Sequence, residues 1–287
     1  MDCMTEKAYA KINFTLPVLR RRADGYHEVD TVMHSISLAD TITLAPAEKI
    51  SLAVTEGNAP EGPENLMWQA AQTFFRLTGI KGGAAMTLAK RIPSEAGLGG
   101  GSADAAAVLR GLSRMTGAGL SSHVLERAAA SLGADIPFCI RGGCARCGGI
   151  GDVLTPLPAW PGLSLLIVRP NISVSTGAAY REIDRRKGPS KNTSAKAARA
   201  IENRNLSALI SALSNDFEAA LFPIAPVLAE TKRELAARGW PAMMSGSGSA
   251  FFVMLPRKAR PTVKEALQAA HPDWFIEEAE TAGAVDI

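Results

Sequence analysis

The sequence predicts an α+β protein in two parts. Strand-like and helix-like stretches interleave along it without a strict strand–helix–strand repeat. A glycine-rich run, 97–101, separates a predicted strand from a predicted helix. Three closely spaced prolines, Pro156, Pro158 and Pro161, divide a first part, 1–155, from a second, 156–287, of different character.

The elements follow from local patterns. Over 7–19, Ala8, Ala10, Ile12, Phe14 and Leu16 alternate with Tyr9, Lys11, Asn13 and Thr15. A period of two predicts a strand with one buried face, and it puts Lys11 on the exposed face. Ala23-Asp24-Gly25 marks a turn. Segments 29–37 and 41–44 read as two further strands, rich in β-branched residues. Leu66, Ala70, Phe74 and Leu77 recur at helical spacing, and Gly79 stands where that helix would stop. A strand over 84–92, helices over 102–115 and 122–132, and a strand over 163–168 follow. A short helix over 176–183 runs into a polar, basic stretch, 185–196, that reads as an exposed loop. Helices over 205–213, 224–237 and 260–269 interleave with strands over 250–255 and 274–278.

Composition narrows the class of function. Hydrophobic residues make up 47% of the chain and charged residues 21%, the balance of a globular protein. A formal net charge of +3 is too small for a nucleic-acid-binding surface, though it suits small anionic substrates. No apolar run approaches the roughly 20 residues needed to span a bilayer. Asp2, Glu6, Lys7 and Lys11 interrupt any apolar leader core. The expectation is a cytoplasmic protein with small-molecule partners, no nucleic acid and no membrane. Cys144 and Cys147 form one C-x-x-C with Cys139 nearby, but His27, His34 and His123 lack ligand spacing. These cysteines read as small side chains packed in or near a strand, not as a metal or redox centre.

Three motifs carry chemistry. Gly97, Gly99, Gly100 and Gly101 let the backbone come close to a ligand and turn amides inward. The helix that follows adds free amides and a positive dipole end, so the segment reads as a phosphate loop. It lacks the lysine of a Walker A loop, and its spacing fits the dinucleotide fingerprint poorly. The alternative is a glycine-rich turn whose helix packs closely through its alanines. A second cluster, Ser245-Gly246-Ser247-Gly248, is either a hairpin turn or a second wall of the same pocket. Asp135, between Gly133-Ala134 and Ile136-Pro137-Phe138, is either a turn or cap residue or a functional carboxylate.

Residues 93–107 resemble the glycine-rich signature of the GHMP kinases. Further matches are Ala-Tyr-Ala-Lys-Ile-Asn at 8–13, Arg-Ala-Asp-Gly-Tyr-His at 22–27, Gly-Ala-Asp-Ile-Pro-Phe at 133–138, Ser-Asn-Asp-Phe-Glu at 214–218 and the loop 245–248. Together they resemble the branch of that superfamily that phosphorylates 4-diphosphocytidyl-2-C-methyl-D-erythritol. The likeness extends from about Lys7 to the last predicted strand.

The resemblance implies a two-domain GHMP fold: an N-terminal domain like ribosomal S5 domain 2 and a C-terminal ferredoxin-like α/β sandwich, with the active site between them. It implies transfer of the γ-phosphoryl of ATP to the 2-hydroxyl of the methylerythritol unit, a step of the non-mevalonate route to isopentenyl diphosphate. Lys11 matches the family's catalytic lysine and Asp135 its general base. Pro93, Ser94, Glu95, Ala96, Gly97, Leu98, Gly99, Gly100, Gly101, Ser102 and Ala103 would wrap the ATP phosphates. Tyr26 and His27 match residues that recognise cytidine, Tyr180 one that closes over the other side of the base, and Asn13 would meet the substrate's hydroxyls. Asn65 and Leu66 resemble a segment on the adenosine side.

Two departures bear on magnesium, which would enter with the nucleotide. Gly100 and Gly101 stand where many GHMP kinases carry paired serines, one of them a metal ligand, and Ala103 replaces a frequent serine. No protein ligand for the ion is assigned. The expected assembly is a monomer or weak homodimer. Competing readings are a homoserine- or mevalonate-type GHMP kinase and a catalytically silent GHMP-fold binding protein. The Asp24-Gly25-Tyr26-His27 cluster argues against the first, and retention of Lys11 with Asp135 against the second.

Overall fold

The structure, a computed structural model, describes residues 3–186, 188 and 190–285. The first half supplies β1 (Met4–Leu16), β2 (Val18–Arg21), β3 (His27–Val29), β4 (Thr31–Ala47), β5 (Ser51–Glu56), α1 (Leu66–Thr78) and β6 (Gly83–Ala89). It continues with α2 (Gly100–Met115), α3 (Ser122–Ala129), α4 (Ile136–Arg141), β7 (Cys144–Gly148) and β8 (Val153–Leu157). The second half adds β9 (Ser164–Arg169), α5 (Thr176–Arg185), α6 (Ser194–Glu202), α7 (Leu206–Ala212), β10 (Ser214–Asn215) and α8 (Asp216–Leu221). It ends with α9 (Pro226–Ala237), β11 (Ala242–Met244), β12 (Phe251–Met254), α10 (Arg260–Ala270) and β13 (Phe275–Glu280).

Two sheets organise these elements. A seven-stranded sheet runs β10-β1-β4-β6-β5, with β7 on β4 and β8 beyond it. A four-stranded antiparallel sheet runs β11-β12-β9-β13. One core lies between the first sheet and its helices, where Ile42, Leu44 and Leu88 meet Phe74, Val108 and Leu112. A second core joins the two sheets: Ile12 and Phe14 of β1 pack with Leu165, Ile167 and Phe252, closed by Ala197 and Ile201 of α6. A third lies on the far face of the second sheet, where Leu166, Val168 and Phe251 meet α5, α8, α9 and α10. The alternation along β9 thus splits its side chains between two cores. Because β10 also pairs with β1, the halves are tied by backbone as well as by apolar contact.

Several expectations need correction. Strand β4 is one continuous element, not two strands broken near Asp40. Asp40 does not end it because its carboxylate is wholly buried and accepts from the backbone N–H groups of Arg91 and Ile92. Strand β1 has no exposed face at Lys11, which is only 3% accessible, since the loops at 97–99 and 246 lie over it. The basic stretch 185–196 is not simply an exposed loop, although Lys187 and Pro189 lie outside the described residues. Helix α6 begins inside it at Ser194, and buried Thr193 and Ser194 bond to Ala212 and Thr15. Its inward face is mostly alanine, a weak apolar signal for a periodicity reading. Elements β5, α4, β8 and α8 were also unforeseen, each six residues or fewer.

Cys144 and Cys147 stand on β7, and their side chains enter different cores. Burial pushes the Cys144 thiol up to about 12 and that of Cys147 higher still. These are inert packing thiols.

Candidate active site

A cleft of about 770 Å³ opens between the first sheet, the glycine-rich loops and helix α5. The cleft is lined by Lys11, Asn13, Tyr26, His27, the loop from Pro93 to Ser102, Asp135 and Tyr180, with Asn65 and Leu66 at one end and Gly246 and Ser247 from the second loop; Ala103, Ser245 and Gly248 do not line it. Ala103 is 1% accessible and faces the core, while its amide donates to the Gly99 carbonyl inside α2. It follows Gly99 by four positions, so helix geometry turns both its amide and its methyl away from the cleft.

The glycine loop is clamped from several sides. Strand β1 reaches it through Lys11 N–H, which donates to the Leu98 carbonyl at 3.0 Å. The second loop touches it through Ser245 Oγ, 2.9 Å from the Gly97 carbonyl, and through Ala250 N–H donating to Ala96. Gly97 has φ +72°, and a Cβ there would fall 2.0 Å from the Ser245 carbonyl oxygen. No other residue type allows that approach. The amino end of α2 begins at Gly100, so its unpaired amides face the cleft.

At the centre, the Lys11 ammonium has its donors spoken for. It donates to Asn13 Oδ1 at 2.8 Å and to the Gly97 carbonyl at 3.0 Å, and it lies 3.4 Å from Asp135 Oδ2. Asn13 is held in turn by Thr31 Oγ1 and by Gly246 N–H. Asn215 braces the second loop by donating to the carbonyls of Met244 and Gly246. Asp135 occupies the N-cap position of α4, but its side chain makes no capping bond. The carboxylate is therefore free to face Lys11 and the cleft, with 30% of the side chain accessible. Its negative charge, after burial, helps push the Tyr180 phenol up to about 12.

Beneath the loop lies a charged cluster that pattern reading missed. Lys90 Nζ donates to Asp40 and, at 3.0 Å, to Asp104 of α2. Burial acts against the ammonium, but the two carboxylates more than offset it and raise its pKa. Burial and Asp40 together push the Asp104 carboxyl up to about 8, against the pull of Lys90. A lysine ending the strand before a glycine loop was the available signal. Asp104, set between Ala103 and Ala105 in an alanine-rich run, gave a second.

The other end of the cleft is looser. Hairpin β2–β3 presents Tyr26, 61% accessible, and His27, which is buried. The His27 ring stacks directly on Tyr180, with centroids 4.7 Å apart and planes at 19°. Tyr180 thus backs His27 and lines the cleft together with Tyr26. Asp184, four residues after Tyr180 on α5, accepts from His27 Nε2 at 2.7 Å. Neither Asp184 nor its neighbour Arg21, 3.7 Å away, was singled out from sequence.

Known proteins match this chain in sequence and in fold. The family model for the GHMP kinases N terminal domain matches residues 65–143, and that for GHMP kinases C terminal matches residues 196–273. The 4-diphosphocytidyl-2-C-methyl-D-erythritol kinase of Geobacter metallireducens is 39% identical over 96% of this chain and 98% of its own length. That of Moorella thermoacetica is 40% identical over 96% of this chain and 99% of its own. The crystal structure of a 4-(cytidine 5'-diphospho)-2C-methyl-D-erythritol kinase superposes with a TM-score of 0.81 at 34% identity, covering 98% of this chain and all of that one. A homoserine kinase from Cytophaga hutchinsonii has a TM-score of 0.76 at 16% identity, over 99% of this chain and 96% of its own, a likeness of fold alone.

Proposed function

The chain belongs to the 4-diphosphocytidyl-2-C-methyl-D-erythritol kinases of the GHMP kinase family, and from that premise we propose that it moves the γ-phosphoryl group of ATP to the 2-hydroxyl of that alcohol, a step of the non-mevalonate route to isopentenyl diphosphate. One observation carries the reading: the Lys11 ammonium bridges the Gly97 carbonyl of the phosphate loop and the uncapped Asp135 carboxylate.

Each group has a role in such a transfer. Asp135 accepts the hydroxyl proton as the oxygen attacks phosphorus. Lys11, 3.4 Å from that carboxylate, offsets charge developing on the transferring group. The amides of the glycine loop and the start of α2 bind the ATP phosphates. Asn13 fixes the Lys11 amine and lies where the alcohol's hydroxyls would enter. Tyr26 offers a face on which cytosine can stack, and His27 groups that can read its edge.

The site tolerates magnesium brought in by ATP. Ser94, Glu95, Ser102, Asp104 and Asp135 bring side-chain oxygens to the cleft, and no group of three acidic, His or Cys side chains is poised for a metal among the described residues. That suits an ion held chiefly by nucleotide phosphates and water, and the ion supplies charge neutralisation there. Among the described residues no helix is long and apolar enough to cross a membrane. We place the enzyme in the cytoplasm, acting as a monomer or weak homodimer on small molecules, without nucleic acid.

The test is an acceptor panel. ADP should form from ATP in the presence of the cytidine diphosphate alcohol and not with homoserine or mevalonate. Equal stimulation by all three would overturn the assignment.

A further inference from the structure

The base-binding end of the cleft holds a carboxylate that the transfer itself does not use. Asp184 stands in the last turn of α5, one helical turn beyond Tyr180, so both side chains leave the same face of the helix. Both reach His27. Tyr180 covers the face of the imidazole at 4.7 Å, and Asp184 Oδ1 meets its edge, 2.7 Å from Nε2. His27 is 8% accessible, so neither contact is a chance meeting of solvated side chains. Arg21 Nη1, 3.7 Å from Asp184 Oδ2, draws the carboxylate toward the hairpin that carries His27.

The chemistry of this contact is asymmetric. A carboxylate ion only accepts hydrogen bonds, so the nitrogen facing it must donate. Nε2 therefore carries a ring proton, and Nδ1 is the ring's other hydrogen-bonding position. A flipped ring would keep its stack on Tyr180 but lose the bond to Asp184, so it is the carboxylate that selects the orientation. The hydrogen-bonding character of a histidine nitrogen is set by what the other nitrogen touches.

We propose that Asp184 is a positioning residue for base recognition: it pins the His27 proton on Nε2 and so fixes the orientation and the tautomer that His27 presents to the cytosine ring. The proposal rests on the reading of Tyr26 and His27 as cytidine-binding residues. It gives α5 of the second half a part in reading a base that the hairpin of the first half binds.

The test uses Asp184→Asn, which preserves shape but replaces an acceptor with a group that can also donate. In protein labelled with ¹⁵N-histidine, His27 Nε2 should show the shift of a protonated ring nitrogen in the wild type, and that signature should weaken or move to Nδ1 in the variant. KM for the cytidine diphosphate alcohol should rise about tenfold, the scale of a single misplaced hydrogen bond, while KM for ATP stays within about twofold. Asp184→Glu, which keeps the acceptor, should restore the nitrogen signature and most of the substrate affinity. The proposal is overturned if Asp184→Asn leaves both the His27 signature and the alcohol KM unchanged, or if both substrates' KM values rise equally. A wild-type enzyme that does not turn over the cytidine diphosphate alcohol would instead sink the functional reading itself, so the two failures are separable.

Discussion

The two ends of the cleft are built on different terms. At the phosphate end, polar groups are paired to one another before any ligand arrives. Lys11 is bonded to Asn13 and Gly97, Ser245 to Gly97, and Lys90 to Asp40 and Asp104. At the base end, Tyr26 projects into solvent, and the hairpin beneath it is fastened by accessible ion pairs such as Arg20–Glu28 and Arg22–Asp24. Exposed pairs of that kind contribute little, because solvent screens them. The contrast follows from the work at each end. Phosphoryl transfer depends on alignment, and a misplacement of about 1 Å can cost ~10²-fold in rate. At the base end only the buried His27 is held so closely, by Tyr180 and Asp184, while Tyr26 stands exposed.

The comparison ranks the effects expected from substitution. The largest should come where the rigid end meets the reacting hydroxyl. Asp135→Asn removes the proton acceptor and should lower kcat by roughly 10²–10⁴, the scale of a lost general base. ATP affinity, measured by equilibrium titration, should change little. Near-normal turnover would remove Asp135 from the mechanism and with it the case for a rigid centre.

Next come paired glycine replacements, one at each end. Gly97→Ala places a methyl 2.0 Å from a backbone carbonyl at φ +72°, so the clamp between the two loops must open. A loss of stability of about 2–4 kcal/mol and a weakened ATP KM should follow. Gly25, at φ +87°, has nothing within 4 Å of a built Cβ. Its replacement by Ala carries only backbone strain, about 1 kcal/mol, and should leave the ATP KM alone. Equal losses in thermal unfolding experiments would erase the distinction between the two ends.

Smaller still is Tyr26→Ala. Removing an exposed aromatic should raise KM for the cytidine diphosphate alcohol about tenfold, the value of ~1–3 kcal/mol per stacked base. KM for ATP should hold. An equal rise in both would count against stacking on Tyr26.

What could be read from the sequence divides along the same line. The glycine loop was legible because backbone approach and positive φ leave a residue no substitute, so Gly97 and Gly99 advertise their geometry. Lys11 and Asp135 were legible through the resemblance, though nothing local revealed that β1 is covered on both faces or that the Asp135 side chain is spared from capping. A period of two reports which residues share a face, not what later loops lay over that face. Lys90 and Asp104 stood out singly, but the cluster they form with Asp40 could not be assembled from the sequence because its partners are 14 and 50 positions apart. Asp184 escaped for the same reason, its histidine lying 157 positions away. Helix α6 was lost because alanines on a short helix hardly register as an apolar stripe.

The finest test of a pre-paired phosphate end is its response to pH. The Asp104 carboxyl, pushed up to about 8 by burial and by Asp40, keeps in the folded protein a proton that the unfolded chain gives up near the ordinary value of 3.8. Its contribution to stability is therefore complete below about pH 4 and is lost as pH rises to about 8, because the folded state binds the extra proton across that window. Above pH 8 a second negative charge appears beneath the phosphate loop, shared with Asp40 against the single Lys90 ammonium. KM for ATP should then rise about two- to fivefold between pH 7 and pH 9, as expected for one added charge partly shielded by an ammonium. KM for the cytidine diphosphate alcohol should change less. Asp104→Asn fixes the group as neutral and should flatten both the ATP dependence and the slope of melting temperature between pH 5 and pH 8. If the variant keeps the wild-type profile, the charge beneath the loop is not what the nucleotide senses, and the phosphate end owes its order to backbone clamping alone.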